Sequence, residues 1–288
     1  MSQRVYVNGR ITDREQAVIS IFDRGFLYGD SVYEVLRTAG GRTVDLDRHL
    51  ERLARSAAAI ALDLPAGATI RGAIADTLAA AGNPDSYIRI IVTRGGGPIN
   101  LDIAAADTPS LLVIVAPLVM PAAELYTRGA RLAIVGVERT SRRAVDPAVK
   151  SGNYLNNIMA LAEAKRAGAY EAVMLGPDGR VAEGSTSNVF AVRGGRCTTP
   201  FLSTGLLPGI TRQRVMELAT AAGVDAVEGD LMPDDLRSAD EVFITSSIRG
   251  VMPIAQVDDR AIAGGAAPGP VTRRLMQLYD QFLAEVAG

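Results

Sequence analysis

The sequence predicts a mixed α and β protein built in two lobes. Three observations lead there: a length of 288 residues, which suits one large core or two smaller ones; an alternation of strand-like and helix-like segments; and a break at Pro117–Glu124, where two prolines sit among small residues. The break is expected to be an interdomain connection, so residues 1–116 form a small N-terminal α/β domain, 117–124 a linker and 125–288 a larger domain.

The elements follow in order. Val5-Tyr6-Val7 runs into Asn8-Gly9, a strong hairpin signal because both turn positions must take positive φ. Ser31 to Thr38 is apolar and β-branched enough for a strand, which Gly40-Gly41 turns back. With Asp47 as N-cap, apolar residues at Leu50, Leu53, Ala57 and Ile60 describe a helix with one buried stripe. An alanine-rich helix from about Ala68 to Ala81 and strands over Tyr87–Thr93 and Leu111–Ala116 complete the first part. Beyond the break, Arg131–Glu138 alternates like a strand, and a helix after Lys150 passes through Ile158, Leu161 and Ala162 to end at Gly168. Pro177-Asp178-Gly179 turns a hairpin whose strands continue to Val192, and helices at Thr211–Ala221 and Val271–Ala287 flank a strand at Glu241–Thr245. No internal repeat of fixed period is visible.

Composition excludes several classes. A hydrophobic share of 48% against 22% charged residues is that of an ordinary globular protein, and a net charge of −2 without long like-charged runs gives no nucleic-acid surface or acidic-membrane anchor. One cysteine, Cys197, excludes an internal disulfide and cysteine-rich metal sites, and one histidine, His49, removes most other metal constellations, so no metal is expected. Neither residue has a hydrolase motif around it. The N-terminus lacks the apolar core of a signal peptide, and Leu111–Ala123, broken by Pro117 and Pro121, is too short to span a bilayer. A cytoplasmic location is expected.

Lysine usage is the sharpest signal. Lys and Arg together number 30, yet only Lys150 and Lys165 are lysines. Arginine replaces lysine wherever a solvated charge suffices, but it neither deprotonates nor forms an imine. Lys165 fits the last turn of a helix, where any cation suits the dipole. Lys150 instead lies in Asp146-Pro147-Ala148-Val149-Lys150-Ser151-Gly152-Asn153-Tyr154, a strand-to-helix junction of the kind that presents reactive side chains.

An imine-forming lysine working on an aldehyde cofactor needs an anion site, a partner for the cofactor's ring nitrogen and a shaped wall. Leu207-Pro208-Gly209-Ile210-Thr211-Arg212 opens a helix, whose free N–H groups can hold an anion, though the same residues also make a plain Pro-Gly turn. Arg52, on the flank of the Leu50/Leu53 stripe, offers a bidentate countercharge or a surface arginine. Glu183, among small residues in Val181-Ala182-Glu183-Gly184-Ser185-Thr186-Ser187-Asn188, can keep a pyridine nitrogen protonated or simply decorate a hairpin. Thr245-Ser246-Ser247 ends a strand with hydroxyls suited to a further phosphate bond or to capping a turn. Period two turns Tyr87 and Arg89 to one face, where a phenol and a guanidinium suit a substrate carboxylate.

Together these pieces resemble the class IV, fold type IV, pyridoxal-phosphate aminotransferases over nearly the whole chain. The landmarks stand in family order: Asp23-Arg24-Gly25-Phe26-Leu27-Tyr28-Gly29-Asp30-Ser31-Val32-Tyr33-Glu34, His49-Leu50-Glu51-Arg52-Leu53, Lys150-Ser151-Gly152-Asn153-Tyr154-Leu155, Glu183-Gly184 with Ser187-Asn188-Val189-Phe190, and Leu207 to Arg212. The resemblance implies a small N-terminal α/β domain, a larger domain of β-barrel character, pyridoxal 5'-phosphate as cofactor, and a homodimer or larger homo-oligomer. By the same resemblance Lys150 carries the cofactor aldehyde as an internal aldimine and shuttles the proton, Glu183 pairs with the ring nitrogen and Tyr154 lies near the ring hydroxyl. Arg52, the amides of Ile210 and Thr211, and Ser246 and Ser247 hold the phosphate, while Leu207 packs on the ring face. Tyr28, Tyr33, Arg37, Tyr87, Arg89, Ile248 and Arg249 are expected on the substrate side.

Within the family, Tyr87-Ile88-Arg89 and Tyr28-Gly29 with Arg37 look like branched-chain aminotransferases, favouring L-amino acids and a 2-oxo acid such as 2-oxoglutarate. Phe26 to Val35 also resembles the D-specific group, yet Ile99-Asn100-Leu101 stand where those enzymes often carry an arginine and a histidine. Arg249 departs from the branched-chain pattern, which keeps small residues there. A D-amino-acid transaminase anchoring substrate through Arg89 or Arg249, and an aminodeoxychorismate lyase with the same lysine and cofactor, are the alternatives.

Overall fold

The computed structural model describes residues 2–106, 108–265 and 267–288. The chain divides into two units, Met1–Val119 with Val149–Asn153 and Leu283–Gly288, and Met120–Ala148 with Tyr154–Phe282.

In the first unit β1 (Arg4–Val7), β2 (Arg10–Thr12), α1 (Arg24–Tyr28), β3 (Ser31–Ala39), β4 (Arg42–Thr43), α2 (Leu46–Ala59), α3 (Gly67–Ala81), β5 (Ser86–Thr93) and β6 (Ser110–Pro117) follow one another. The strands form one sheet in the order β2-β1-β6-β5-β3-β4, antiparallel throughout. The Asn8-Gly9 hairpin forms as expected, with φ of 46° and 94°. Val32 and Leu36 of β3, Ile88 and Ile90 of β5, and Val113 and Val115 of β6 pack with Leu53 and Ala57 of α2 and Ile70 and Ile74 of α3 into a core. That is the stripe the α2 periodicity calls for. The expected cap is displaced, however: Asp45, at φ 52°, is the N-cap, and Asp47 lies in the first turn, where its charge faces the positive end of the helix dipole.

The second unit carries α4 (Glu124–Arg128), β7 (Ala130–Ile134), α5 (Leu155–Arg166), β8 (Glu171–Leu175), β9 (Val181–Gly184), β10 (Asn188–Arg193), β11 (Arg196–Pro200), α6 (Ile210–Ala221), β12 (Ala226–Gly229), α7 (Pro233–Arg237), β13 (Glu241–Ser246), β14 (Gly250–Val257) and β15 (Arg260–Ala261). The last helix, α8, spans Pro270–Ala287. A mixed sheet runs β12-β11-β10-β13-β14-β7-β8-β9, with β15 on β14. At its centre Phe190 and Phe243 stack on one face with centroids 4.6 Å apart, while Val189, Val242, Ile244, Met252 and Ile254 join a core on the other. Strand β7 is shorter than its alternation suggests, because Gly136 gives its N–H to the Glu163 side chain (2.7 Å) instead of to a neighbouring strand. In α5 the small residues Ala160 and Ala164 are buried while Leu155, Ile158 and Met159 are exposed, the reverse of a simple apolar stripe.

Candidate active site

Lys150 is placed by its backbone. Its N–H donates to Ser56 Oγ (3.1 Å) on α2, its carbonyl accepts from Tyr33 N (3.0 Å), and Gly152 N bonds Ser31 O (2.9 Å), so residues 150–152 lie antiparallel against the start of β3. Gly152 permits this approach: a Cβ there would run into Ser31 Oγ. Ser56 follows Arg52 by four residues, so the two share one face of α2 and both are buried. The half-buried Lys150 side chain brings Nζ within 3.3 Å of Tyr33 Oη and 4.4 Å of the ring centroid. Arg89 Cζ lies 4.2 Å from the same ring.

Strand register assembles the substrate candidates of this unit. Tyr33, Val35 and Arg37 lie across from Ile91, Arg89 and Tyr87, so Tyr33, Arg37, Tyr87 and Arg89 share one sheet face, opposite the core residues Val32, Leu36, Ile88 and Ile90. Tyr28 stands apart on α1, under the Arg24 guanidinium at 5.1 Å.

Glu34 was not singled out by sequence reasoning. It is fully buried and receives Arg52 Nε (2.7 Å), Arg52 Nη2 (2.8 Å) and His49 Nδ1 (2.7 Å). Burial raises its carboxyl pKa, but the Arg52 charge and hydrogen bonds, joined by His49, outweigh it and hold the group down at about 2. His49 is itself lowered, chiefly by burial. A neutral imidazole donating Nδ1–H to the carboxylate satisfies both shifts, and the His49 side chain is thereby committed to orienting the Arg52 partner. The only sequence signal was a lone acid inside an apolar strand.

In the second unit Glu183 is the last residue but one of β9, and its carboxylate accepts from Arg139 Nε (2.7 Å) and Leu207 N (3.1 Å). Asn188 Nδ2 bonds Leu207 O (3.0 Å), which fixes the entry to α6. That helix starts at Ile210 after Gly209, which offers no side-chain cap, and Ile210 and Thr211 are buried, so the free N–H groups of the first turn lie at a sheltered helix start. A Cβ at Gly209 would strike the Asn188 side-chain oxygen. Tyr154 donates to Ser185 O (3.3 Å) and Asn157 Nδ2 to the same oxygen (2.8 Å). Ser246 ends β13, and Ser247, Ile248 and Arg249 form the half-buried turn to β14, next to Thr245, whose buried hydroxyl has no hydrogen-bond partner among the described residues. Arg139 and Glu171, which bond Glu183 and the loop after it, gave no sequence signal: each lies outside any motif. Cys197 is buried, which pushes its thiol up to about 12 and removes it as a nucleophile.

The first unit can present a primary amine beside a phenol; the second can present a carboxylate fixed by an arginine and a sheltered helix start for an anion. Comparison with known proteins gives the family. Residues 31–257 match the family described as Amino-transferase class IV. A putative branched-chain-amino-acid aminotransferase of Methanocaldococcus jannaschii is 37% identical over 277 residues, covering 96% of this chain and 95% of that protein. A D-alanine aminotransferase of Bacillus licheniformis is 34% identical over 286 residues, covering 99% of both. The crystal structure of the branched-chain aminotransferase from the thermophilic archaeon Thermoproteus uzoniensis with norvaline superposes with a TM-score of 0.92 at 32% identity, over 99% of this chain and 96% of that one. The fold type IV expectation is thereby met, and the chain belongs to the class IV aminotransferases, enzymes that depend on pyridoxal phosphate.

Proposed function

We propose that the protein moves an amino group from a branched-chain or similar L-amino acid to a 2-oxo acid such as 2-oxoglutarate, with pyridoxal 5'-phosphate as its cofactor. The observation that carries this reading is the placement of Lys150, one of only two lysines, with its amine against Tyr33 and its backbone bonded to β3 and α2. The residues fit the group: a buried helix start without a side-chain cap suits a phosphate, and a carboxylate held by Arg139 suits a protonated ring nitrogen. When bound, the cofactor supplies an electron sink for the carbanion formed at the substrate Cα.

The residues then divide the work. Lys150 would hold the cofactor through Nζ and, as a neutral amine, would act as the general base for the substrate Cα proton. Glu183 would keep the ring nitrogen protonated, Tyr154 would bond the ring hydroxyl and Leu207 would lie against the ring. The phosphate would be held by the amides of Ile210 and Thr211, by Ser246 and Ser247, and by Arg52, whose guanidinium Glu34 orients. Tyr28, Tyr33, Arg37, Tyr87, Arg89 and Ile248 line the substrate side, with Arg89 and the phenols taking a carboxylate. Residues 1–116, 117–124 and 125–288 serve as small domain, linker and cofactor domain, with Val149–Asn153 and Leu283–Gly288 returning to the first unit, and the protein works in the cytoplasm as a homodimer or larger homo-oligomer. No helix among the described residues is long and apolar enough to cross a membrane.

Half-reactions test the substrate. The cofactor-loaded protein, mixed separately with L-leucine and D-alanine, is expected to lose its visible absorbance at least about tenfold faster with L-leucine, a rate ratio worth about 1.4 kcal/mol in the transition state. Faster conversion by D-alanine would replace this reading with a D-amino-acid transaminase. Release of pyruvate and aminobenzoate from aminodeoxychorismate would replace it with the lyase.

A further inference from the structure

Sequence reading offers Arg249 as a substrate carboxylate anchor, but its bonds are spent elsewhere. Nη1 donates to Glu171 Oε2 (2.9 Å), Nε to Ser246 Oγ (3.0 Å), and Nη2 to Thr186 O (2.8 Å) and to the Thr186 hydroxyl. A guanidinium offers five N–H donors. Four of them therefore end on the protein, in a side chain only 12% exposed. A bidentate grip on a ligand carboxylate needs two donors side by side. The backbone is fixed as well: Arg249 N donates to Ser246 Oγ (3.3 Å) and its carbonyl accepts from Tyr126 Oη (2.9 Å).

Glu171, 1% exposed at the start of β8, is the other half of the arrangement. Besides Arg249 it accepts from Ser185 N (3.1 Å), the Ser185 hydroxyl, Thr186 Oγ1 (2.8 Å) and Ser187 Oγ (3.3 Å). Burial alone would raise its carboxyl pKa, but the Arg249 charge and these hydrogen bonds bring the net value below the usual carboxylate range. One ion pair thus ties the loop that follows Glu183 and Gly184 to the turn that holds Ser246 and Ser247.

We propose that Arg249 and Glu171 are positioning residues, a clamp that fixes the Glu183 loop against the Ser246–Gly250 turn so that the ring-nitrogen partner and the phosphate donors meet one cofactor at a set spacing. This rests on the function proposed above. It also removes Arg249 from the substrate anchors, leaving that role to Arg89 and its neighbours.

The test is cofactor affinity. Apo protein is titrated with pyridoxal phosphate by visible absorbance and equilibrium dialysis, for wild type, Arg249→Met, Arg249→Lys and Glu171→Gln. The dissociation constant is expected to rise about tenfold or more in Arg249→Met and Glu171→Gln, with Arg249→Lys between them and wild type because lysine keeps the Glu171 pair but cannot span to Thr186 and Ser246. At saturating cofactor, the KM for the amino donor should stay within about threefold of wild type. Unchanged cofactor affinity with a KM raised about a hundredfold would make Arg249 a substrate anchor and overturn the proposal. A lower melting temperature with unchanged cofactor affinity would reduce the pair to bulk stability and overturn it equally. Should Arg249→Met fail to fold, Thr186→Ala removes part of the same clamp, and amide exchange at 185–188 and 246–250 is expected to accelerate in it and in Arg249→Lys; unchanged protection at both segments sinks the clamp. Wild-type protein that binds no pyridoxal phosphate would instead sink the proposed function, and amide exchange of the apo variants would still judge the clamp.

Discussion

Lys150→Ala protein is expected to lose transamination by at least about a thousandfold while melting within a few degrees of wild type, the loss being that of both nucleophile and general base. The fold should survive because the structural bonds of this residue, to Ser56 and Tyr33, are made by its main chain, which alanine keeps. Lys150→Arg is the sharper variant. It retains a positive charge beside Tyr33 but cannot form an imine or give up its proton, so it should be as inactive as alanine and should not acquire visible absorbance with pyridoxal phosphate. Steady-state rates, absorbance spectra and thermal melts decide this. An active Lys150→Arg protein would show that the amine is not where the chemistry happens.

Glu34→Gln is expected to destabilise the protein by about 3–5 kcal/mol, because it removes the buried carboxylate charge that faces the Arg52 guanidinium. The wild type carries the same dependence in its acid titration. The Glu34 carboxyl falls from an ordinary value of 4.5 when unfolded to about 2 when folded, so the unfolded chain binds the extra proton between those values. Stability from this group is full above about pH 4.5 and is lost as the pH falls toward 2, a contribution on the order of 3 kcal/mol. His49 acts in the same direction, since its folded pKa lies below 6.5 and protonation favours the unfolded chain as the pH drops under that value. Urea midpoints measured at pH 7, 5 and 3.5 should fall less steeply for Glu34→Gln than for wild type. Parallel slopes and an unchanged midpoint at pH 7 would show that the buried pair contributes nothing.

How much of this was legible in the sequence depends on what each residue does. Short-range conformational demands could be read directly: Asn8-Gly9 forced a hairpin, and the spacing of Leu53 and Ala57 located the buried face of α2. Lys150 stood out through chemistry, because its neighbours in the composition are arginines. The α2 cap was misread by two residues because Asp45 and Asp47 look alike in sequence, while only the backbone at φ 52° distinguishes them. Face selection on α5 was also beyond periodicity, since alanines line its buried side and the larger apolar residues face outward. Least visible were Glu34, Arg139 and Glu171, whose importance comes from partners 18, 44 and 78 positions away in the chain. Such pairings are products of how strands, a helix and loops pack together and carry no local pattern.

The way residue 150 is tethered has a mechanical consequence. With its N–H and carbonyl both moored to neighbouring elements, the flexible four-carbon stem carries the freedom of the amine, so the proton transfers proposed for it would leave the scaffold beneath undisturbed. A single arm on a fixed post would then serve both ends of the proposed hydrogen relay.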